Sequence, residues 1–384
     1  MGVETINVIK AVIDDVKDVL LKHETKHIIW YGYTPVVDVV QQVLKMQKIK
    51  QIDCVVDSDH HKWGSITPSG FVIAPPKHTL ESVNENTIIL ILSNYAKAIE
   101  NQVREYGYQN NQIIVLPSPG DYTAPAVEKL SNGLSDDKKM SLRELQLCEL
   151  EILKELRSFC DKNNLRYYLA GGTCYGAENY SGFVPHDDDV DVYMPYEDYI
   201  KLIETYTQND DYEILYWANN DKFFWPYVQM SDKSTVNIYG SFPITIKHGV
   251  VIDIIPLTGW PESQKDIDYR IRLNRYMEWC WKYYNFGREV LDIHDNRADI
   301  EQKRYDISTK TAPNIATAAE LWGGEEQWIL PNSAFDYGKT LTFEKEEFSV
   351  PSDYKGYLKL RHRKYEGREL SDIQVEHPVN VYRR

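Results

Sequence analysis

The run Asp187-Asp188-Asp189-Val190-Asp191 crowds four carboxylates into five positions, and Asp253 adds another within the apolar run Val250–Ile255. On a strand, alternate side chains share a face, so Asp187, Asp189 and Asp191 are expected to point the same way. Crowded carboxylates resist joint ionisation, and a divalent cation relieves that repulsion. Upstream, Gly171-Gly172-Thr173 offers a turn in which backbone N–H groups approach a phosphate with no Cβ in the way. A metal beside a phosphate cradle is the equipment of phosphoryl or nucleotidyl transfer. Asp187, Asp189 and Asp191 are candidates to share such a cation, and Asp253 is a candidate further ligand or base. Asp189, Asp191 and Asp253 are the expected catalytic carboxylates, and Gly171, Gly172 and Thr173 the expected phosphate-binding group.

Plainer readings stand beside this one. The acidic run could be a solvated loop. It also matches positions 1, 3 and 5 of an EF-hand, but Val192 stands where that loop needs glycine and Asp198 where it needs a bidentate glutamate. Asp253, in an apolar strand, either pairs with a lysine or arginine or serves as metal ligand or base.

The elements that must position these groups are legible around them. Ser141 and Glu144 form a capping box ahead of a helix with the apolar stripe Leu142, Leu145, Cys148, Ile152, Leu156 and Phe159. Asn163-Asn164 stops it, Leu165–Leu169 reads as a strand, and Gly171-Gly172 as the turn out of it. Strands are expected around Asp189–Tyr193 and over Val250–Ile255, with a helical pattern over Asp266–Tyr284.

Nearer the N-terminus, His27–Tyr31, Ile52–Asp57, Ile88–Leu92 and Ile113–Leu116 read as buried parallel strands, with helices over Pro35–Met46 and Asn94–Tyr106. This predicts a doubly wound, Rossmann-like α/β domain over residues 1–120, a linker over 121–140, and a catalytic domain over 141–384. Gly32 follows the first strand, but Tyr33-Thr34-Pro35 leaves no G-x-G-x-x-G fingerprint. Asp57 sits where a ribose-binding acid would. Asp59, His60 and His61 suggest a metal site, but adjacent histidines point apart on a strand and lack ligand spacing, so a loop is expected.

The stretch Leu169–Met194 (LAGGTCYGAENYSGFVPHDDDVDVYM) closely resembles the signature of the LicD/fukutin-related phosphotransferase family. The matching parts, in order, are Gly172-Thr173, Gly182-Phe183-Val184-Pro185 and Asp187 to Asp191. Val250–Pro256 resembles the family's second acidic strand, and Val350–Tyr357 its Val-Pro-x-x-Tyr region, so the likeness spans roughly residues 141 to 366. The resemblance implies a nucleotidyltransferase-like fold, with Mg²⁺ (or Mn²⁺) held by Asp187, Asp189, Asp191 and Asp253. It further implies transfer of a phospho-alcohol, phosphocholine or the like, from a CDP- or CMP-linked donor to a hydroxyl of a surface glycan or its lipid-linked precursor. Two departures stand out: His186 where the family has Trp, and Glu178-Asn179-Tyr180-Ser181 where it carries a basic stretch.

Aromatic residues are dense at Tyr212, Tyr216, Trp217, Phe223, Phe224, Trp225 and Tyr227. They suit a core hairpin or a cage for a quaternary ammonium. Arg361-His362-Arg363-Lys364 is the clearest basic group, suited to a solvated surface or to contact with phosphate or an anionic membrane.

The whole chain carries 43 basic against 58 acidic residues, a net charge of −15, which argues against nucleic-acid polymers as partners. No apolar run reaches the ~18 residues of a membrane span. Cys54, Cys148, Cys160, Cys174 and Cys280 are scattered and odd in number, as expected of a reduced, cytoplasmic protein. Two other functions remain open on the sequence: a nucleotidyltransferase that joins NMP from an NTP to a small acceptor, and a non-catalytic nucleotide- or glycan-binding protein.

Overall fold

The computed structural model describes residues 3–81, 84–220, 223, 225, 227–266, 312–317, 329–335, 338–361 and 380–384. Strand β1 (Glu4–Asn7) leads into helix α1 (Ile9–Lys22), whose Ile9, Val12, Ile13, Val16 and Leu20 fall at helical spacing and are buried. Five short strands follow: β2 (His27–Tyr31), β3 (Cys54–Val56), β4 (Ile73–Ala74), β5 (Thr87–Ile91) and β6 (Ile113–Val115). They form one sheet in the order β4-β3-β2-β5-β6, every pair parallel. Helices α2 (Pro35–Met46) and α4 (Ala96–Glu105) supply the crossovers from β2 to β3 and from β5 to β6, α3 (Pro76–Leu80) lies between β4 and β5, and β3 reaches β4 through a loop with a 3₁₀ turn.

Both faces of this sheet are covered, which is why its strands read as unbroken apolar runs. Ile28 and Trp30 pack with α1 and α2, while Ile29 and Tyr31 pack with Ile99 and Val103 of α4. Strand order reverses between β2 and β5, the switch point of a doubly wound sheet.

Two boundaries differ from expectation. Strand β1 does not join the parallel sheet but pairs with a strand of the second sheet, Glu4 opposite Lys247 and Asn7 opposite Ile244. Residues 121–140, expected as a linker, contribute to helix α5 (Pro119–Ser131) and a single 3₁₀ turn at Asp136–Lys138. Proline and glycine at 119–120 suggest a turn, yet proline is tolerated at the first helical position and Ser118 caps the helix with Asp121. Leu130 of α5 buries against Val236, Ile238 and Tyr382 of the second sheet.

The second sheet has nine strands. Its elements in chain order are α6 (Leu142–Asn163), β7 (Tyr168–Leu169), α7 (Gly171–Tyr180), β8 (Asp191–Pro195), α8 (Tyr196–Thr205), β9 (Tyr212–Leu215), β10 (Val228–Ser241) and β11 (Ile244–Gly259). Strands β12 (Asn314–Thr317) and β13 (Leu330–Pro331), the hairpin β14 (Lys339–Phe343) and β15 (Glu346–Val350), helix α9 (Tyr354–Arg361) and strand β16 (Val381–Arg383) complete the described chain. The 16-residue β11 is the axis. Its first half lies between β1 and β10, and its second half pairs in parallel with β8. The capping box of α6 forms as expected, with Asn164 left-handed at its end. Beyond Asp266, the expected helix lies outside the described residues.

Candidate active site

Asp187 and Asp189 do not lie on a strand. Pro185 and His186 form a turn, residues 187–190 are irregular, and β8 begins at Asp191. Consecutive aspartates are poor strand formers, so the ladder starts only where the apolar residues resume. Val190, fully buried, anchors the loop, and its carbonyl accepts the N–H of Asp253 at 2.9 Å. Asp191 and Asp253 then face each other as register partners on adjacent parallel strands.

Asp253 is gripped from the neighbouring strand region. The Tyr227 hydroxyl donates to Oδ2 and the Gln229 amide to Oδ1, each at 2.7 Å. Donors at both oxygens fix the carboxylate plane.

Gly171-Gly172-Thr173 form the first turn of α7 rather than a free turn. Gly171, at φ +50°, donates its N–H to the Tyr357 hydroxyl at 2.8 Å, which ties the expected Val-Pro-x-x-Tyr region to this helix end. Thr173, buried, accepts the N–H of Asp191 at 2.9 Å, and the Asp191 carbonyl accepts from Ala170 at 3.0 Å. A Cβ on Gly172 would stand 2.5 Å from Asp187 Oδ2. A side chain there would displace the Asp187 carboxylate, which lies against the positive end of the helix.

A cavity of about 360 Å³ opens beside these groups. Asp188, Asp189 and Asp253 line it together with Glu149, His248 and the aromatic residues Trp225, Tyr227 and Tyr239. Trp225 stacks on Tyr227 with ring centroids 5.6 Å apart and meets Tyr239 at 5.8 Å. Phe223 is buried and is not among the residues that line the cavity. Phe224 lies outside the described residues.

Sequence reasoning missed three groups here. Gln146 and Glu149 sit one turn apart on α6, both buried. Gln146 donates its amide to the Asp187 carbonyl at 2.9 Å. Burial, then the negative fields of Asp189, Asp188, Asp187 and Asp253, push the Glu149 carboxyl well above its usual range. The available signal was two polar residues interrupting the apolar stripe that includes Leu145, Ile152 and Leu156. His248 is the third. Burial pulls its pKa down to about 4, against a 2.5 Å bond between Nδ1 and the Gly249 carbonyl, so the ring is neutral near pH 7.

Around the site, Glu178 in the non-basic stretch pairs with Lys355 of α9 at 3.5 Å, so a cation reaches this position from elsewhere in the chain. Glu344 accepts from Arg143 through both oxygens, at 3.0 and 2.5 Å, and holds the approach to the acidic loop at Phe183. The basic group Arg361-His362-Arg363-Lys364 has its side chains outside the described residues.

In the N-terminal sheet, Asp57 is buried and its carboxylate accepts from the Tyr33 and Asp59 N–H groups, each at 2.7 Å, and from Lys62 Nζ at 3.0 Å. It braces the loops after β2 and β3. His60 and His61 share a 3₁₀ turn that Asp59 caps, with ring centroids 3.9 Å apart. With Asp59 their ligand atoms lie within 4.8 Å of one another, and all three are exposed.

A mixed α/β protein with carboxylates on paired parallel strands is thus in view. The family model described as LicD/FKTN/FKRP, nucleotidyltransferase domain, matches residues 164–272, which contain the acidic loop, α7, β8 and β11. The likeness of the chain to this family lies in that domain. It is 26% identical over 242 residues to the lipopolysaccharide cholinephosphotransferase LicD of Haemophilus influenzae, covering 58% of this chain and 89% of that protein. An uncharacterized protein of Rickettsia prowazekii is 33% identical over 72 residues, 18% of this chain and 27% of that one. A second, from Rickettsia typhi, is 34% identical over 67 residues, 17% of this chain and 19% of that one.

Proposed function

We propose that this LicD-type phosphotransferase moves phosphocholine, or a closely related phospho-alcohol, from a CDP- or CMP-linked donor to a hydroxyl of a surface glycan or its lipid-linked precursor. The relative from Haemophilus influenzae is named for cholinephosphotransfer to lipopolysaccharide. The observation that carries the reading is the shared cavity, where Asp188, Asp189 and Asp253 meet a wall of Trp225, Tyr227 and Tyr239. Aromatic faces attract a quaternary ammonium while the carboxylate side suits metal and phosphate chemistry. As part of this proposal, the N-terminal sheet is Rossmann-like and the second domain nucleotidyltransferase-like.

The residues present suit a divalent cation. Glu149 Oε2 is buried, without a hydrogen-bond partner among the described residues, beside a cavity lined by three aspartates, a donor set of hard oxygens that fits Mg²⁺ or Mn²⁺. Asp187, Asp189, Asp191 and Asp253 would hold the ion, which when bound neutralises charge on the donor diphosphate and the departing CMP. Tyr227 and Gln229 orient Asp253, and a carboxylate of this cluster takes the proton of the acceptor hydroxyl. The new bond joins that hydroxyl oxygen to the phosphorus of the phospho-alcohol as the bond to CMP breaks. At α7, Thr173 and Tyr357 hold the helix end against Asp191, while the Gly172 region faces the donor phosphates.

The described cysteines are all free, in keeping with a reduced, cytoplasmic setting. No described helix is long and apolar enough to cross a membrane, and peripheral contact with a lipid-linked acceptor fits the proposal.

CMP release from a panel of CDP-alcohols, with Mg²⁺ or Mn²⁺, tests this reading. Metal-dependent release from a choline-type donor, lost in Asp191→Asn, is expected. Pyrophosphate release from an NTP would make the chain a nucleotidyltransferase instead, and donor binding without turnover in the presence of acceptor glycans would make it a binding protein.

A further inference from the structure

We propose that Glu149 supplies a further carboxylate to the divalent-cation centre, entering from helix α6 beneath the acidic loop. The inference rests on the metal dependence proposed above and adds a ligand that lies outside the matched family domain, which begins at residue 164.

Three observations converge on it. Glu149 is 3% exposed, and among the described residues its Oε2 has no hydrogen-bond partner. A buried ionised carboxylate needs a counter-charge, and a neutral carboxyl would still leave that same oxygen unmatched. Second, Glu149 lines the cavity that Asp188, Asp189 and Asp253 line, and no lysine or arginine is among the described residues lining it. Carboxylates brought together in this way are compatible when they share a cation. Third, α6 is fixed relative to the loop. Gln146, one turn before Glu149, donates to the Asp187 carbonyl, and Leu145, Ile152 and Leu156 bury the rest of that helix face. Glu149 is therefore presented to the acidic loop by a rigid element, as a ligand must be.

The reading has a distinctive energetic consequence. A carboxylate kept for a cation is a liability in the cation's absence and an asset in its presence. Glu149→Gln keeps the shape and removes the charge. The test is Mn²⁺ binding by calorimetry or electron paramagnetic resonance, with thermal melts in EDTA and in Mn²⁺, on wild type, Glu149→Gln and Glu149→Asp. No nucleotide donor is needed.

Expected is a loss of at least tenfold in Mn²⁺ affinity for Glu149→Gln, a metal-free melting temperature at or above wild type, and a smaller rise on adding Mn²⁺. Glu149→Asp, which keeps the charge on a shorter stem, should retain more affinity than Glu149→Gln. Unchanged Mn²⁺ affinity in Glu149→Gln would overturn the inference while leaving the metal-dependent reading intact. A metal-free Glu149→Gln protein that melts well below wild type would also overturn it, because Glu149 would then serve the fold. Wild type that binds no Mn²⁺ would sink both readings.

Discussion

Asp191 and Asp253 are register partners on neighbouring parallel strands, β8 and β11. Adjacent strands lie about 4.8 Å apart, so two carboxylates at one register are close enough to share a cation and too close to ignore each other without one. Asp191→Asn and Asp253→Asn should each lower turnover on the order of 10²–10³-fold, the usual cost of removing one preorganised charge contact. Circular dichroism and melting temperature in EDTA should be unchanged or slightly improved, since each variant removes repulsion.

Tyr227 offers a finer probe of the same carboxylate. Its hydroxyl donates to Asp253 Oδ2 at 2.7 Å while its ring stacks on Trp225. Tyr227→Phe keeps the ring and removes the donor. A hydrogen bond to a charged group contributes roughly 1.5–3 kcal/mol, so kcat/KM should fall on the order of ten- to a hundredfold. Steady-state kinetics at saturating metal would check this, and an unaltered rate would mean that orientation of Asp253 does not depend on Tyr227.

Gly172→Ala should separate activity from stability. The added Cβ would sit 2.5 Å from Asp187 Oδ2, a side-chain tip that can swing away. The expected outcome is a melting temperature within a few degrees of wild type, and metal affinity weakened because Asp187 no longer lies at the helix end. Unchanged Mn²⁺ affinity would remove Asp187 from the metal set.

His248 gives a pH prediction with a definite sign. Its pKa falls from 6.5 in the unfolded chain to about 4 in the fold. Between those values the unfolded chain holds the proton and the native one does not, so stability drops as pH falls through the window. The full difference is on the order of 3 kcal/mol. Urea unfolding between pH 7 and pH 4 should show a shallower slope for His248→Asn than for wild type, and parallel slopes would rule out this role.

Much of this molecule was readable from residues alone, and for identifiable reasons. Helix α2 announces itself through Pro35 and the valine-rich stripe that follows, and α6 through the Ser141–Glu144 box. The family followed from the Gly-Thr, Gly-Phe-Val-Pro and acidic runs in one stretch, because that spacing is local. What escaped depends on distant partners. Nothing near Glu4–Asn7 reveals that its neighbour is Ile244–Lys247, and nothing near Glu149 reveals that four aspartates from elsewhere surround it. Alternating aspartates suggest a strand, but the poor strand propensity of aspartate leaves residues 187–190 irregular. The prolines and glycine at 117–120 suggest a turn into a linker over 121–140, yet at the start of a helix the same residues are tolerated.

Strand β1 carries a consequence for how the molecule comes into being. Its partner β11 lies roughly 240 residues further along the chain. At ~5–20 residues per second of synthesis, Glu4–Asn7 leaves the ribosome tens of seconds before the strand it must join. The parallel sheet in between has its own core and every strand it needs, so it is free to fold in that interval. The second sheet closes around a strand made well before its partner. Any delay during synthesis leaves that early strand as an exposed edge waiting for a match, which makes β1 the natural point for chaperone capture or misassembly.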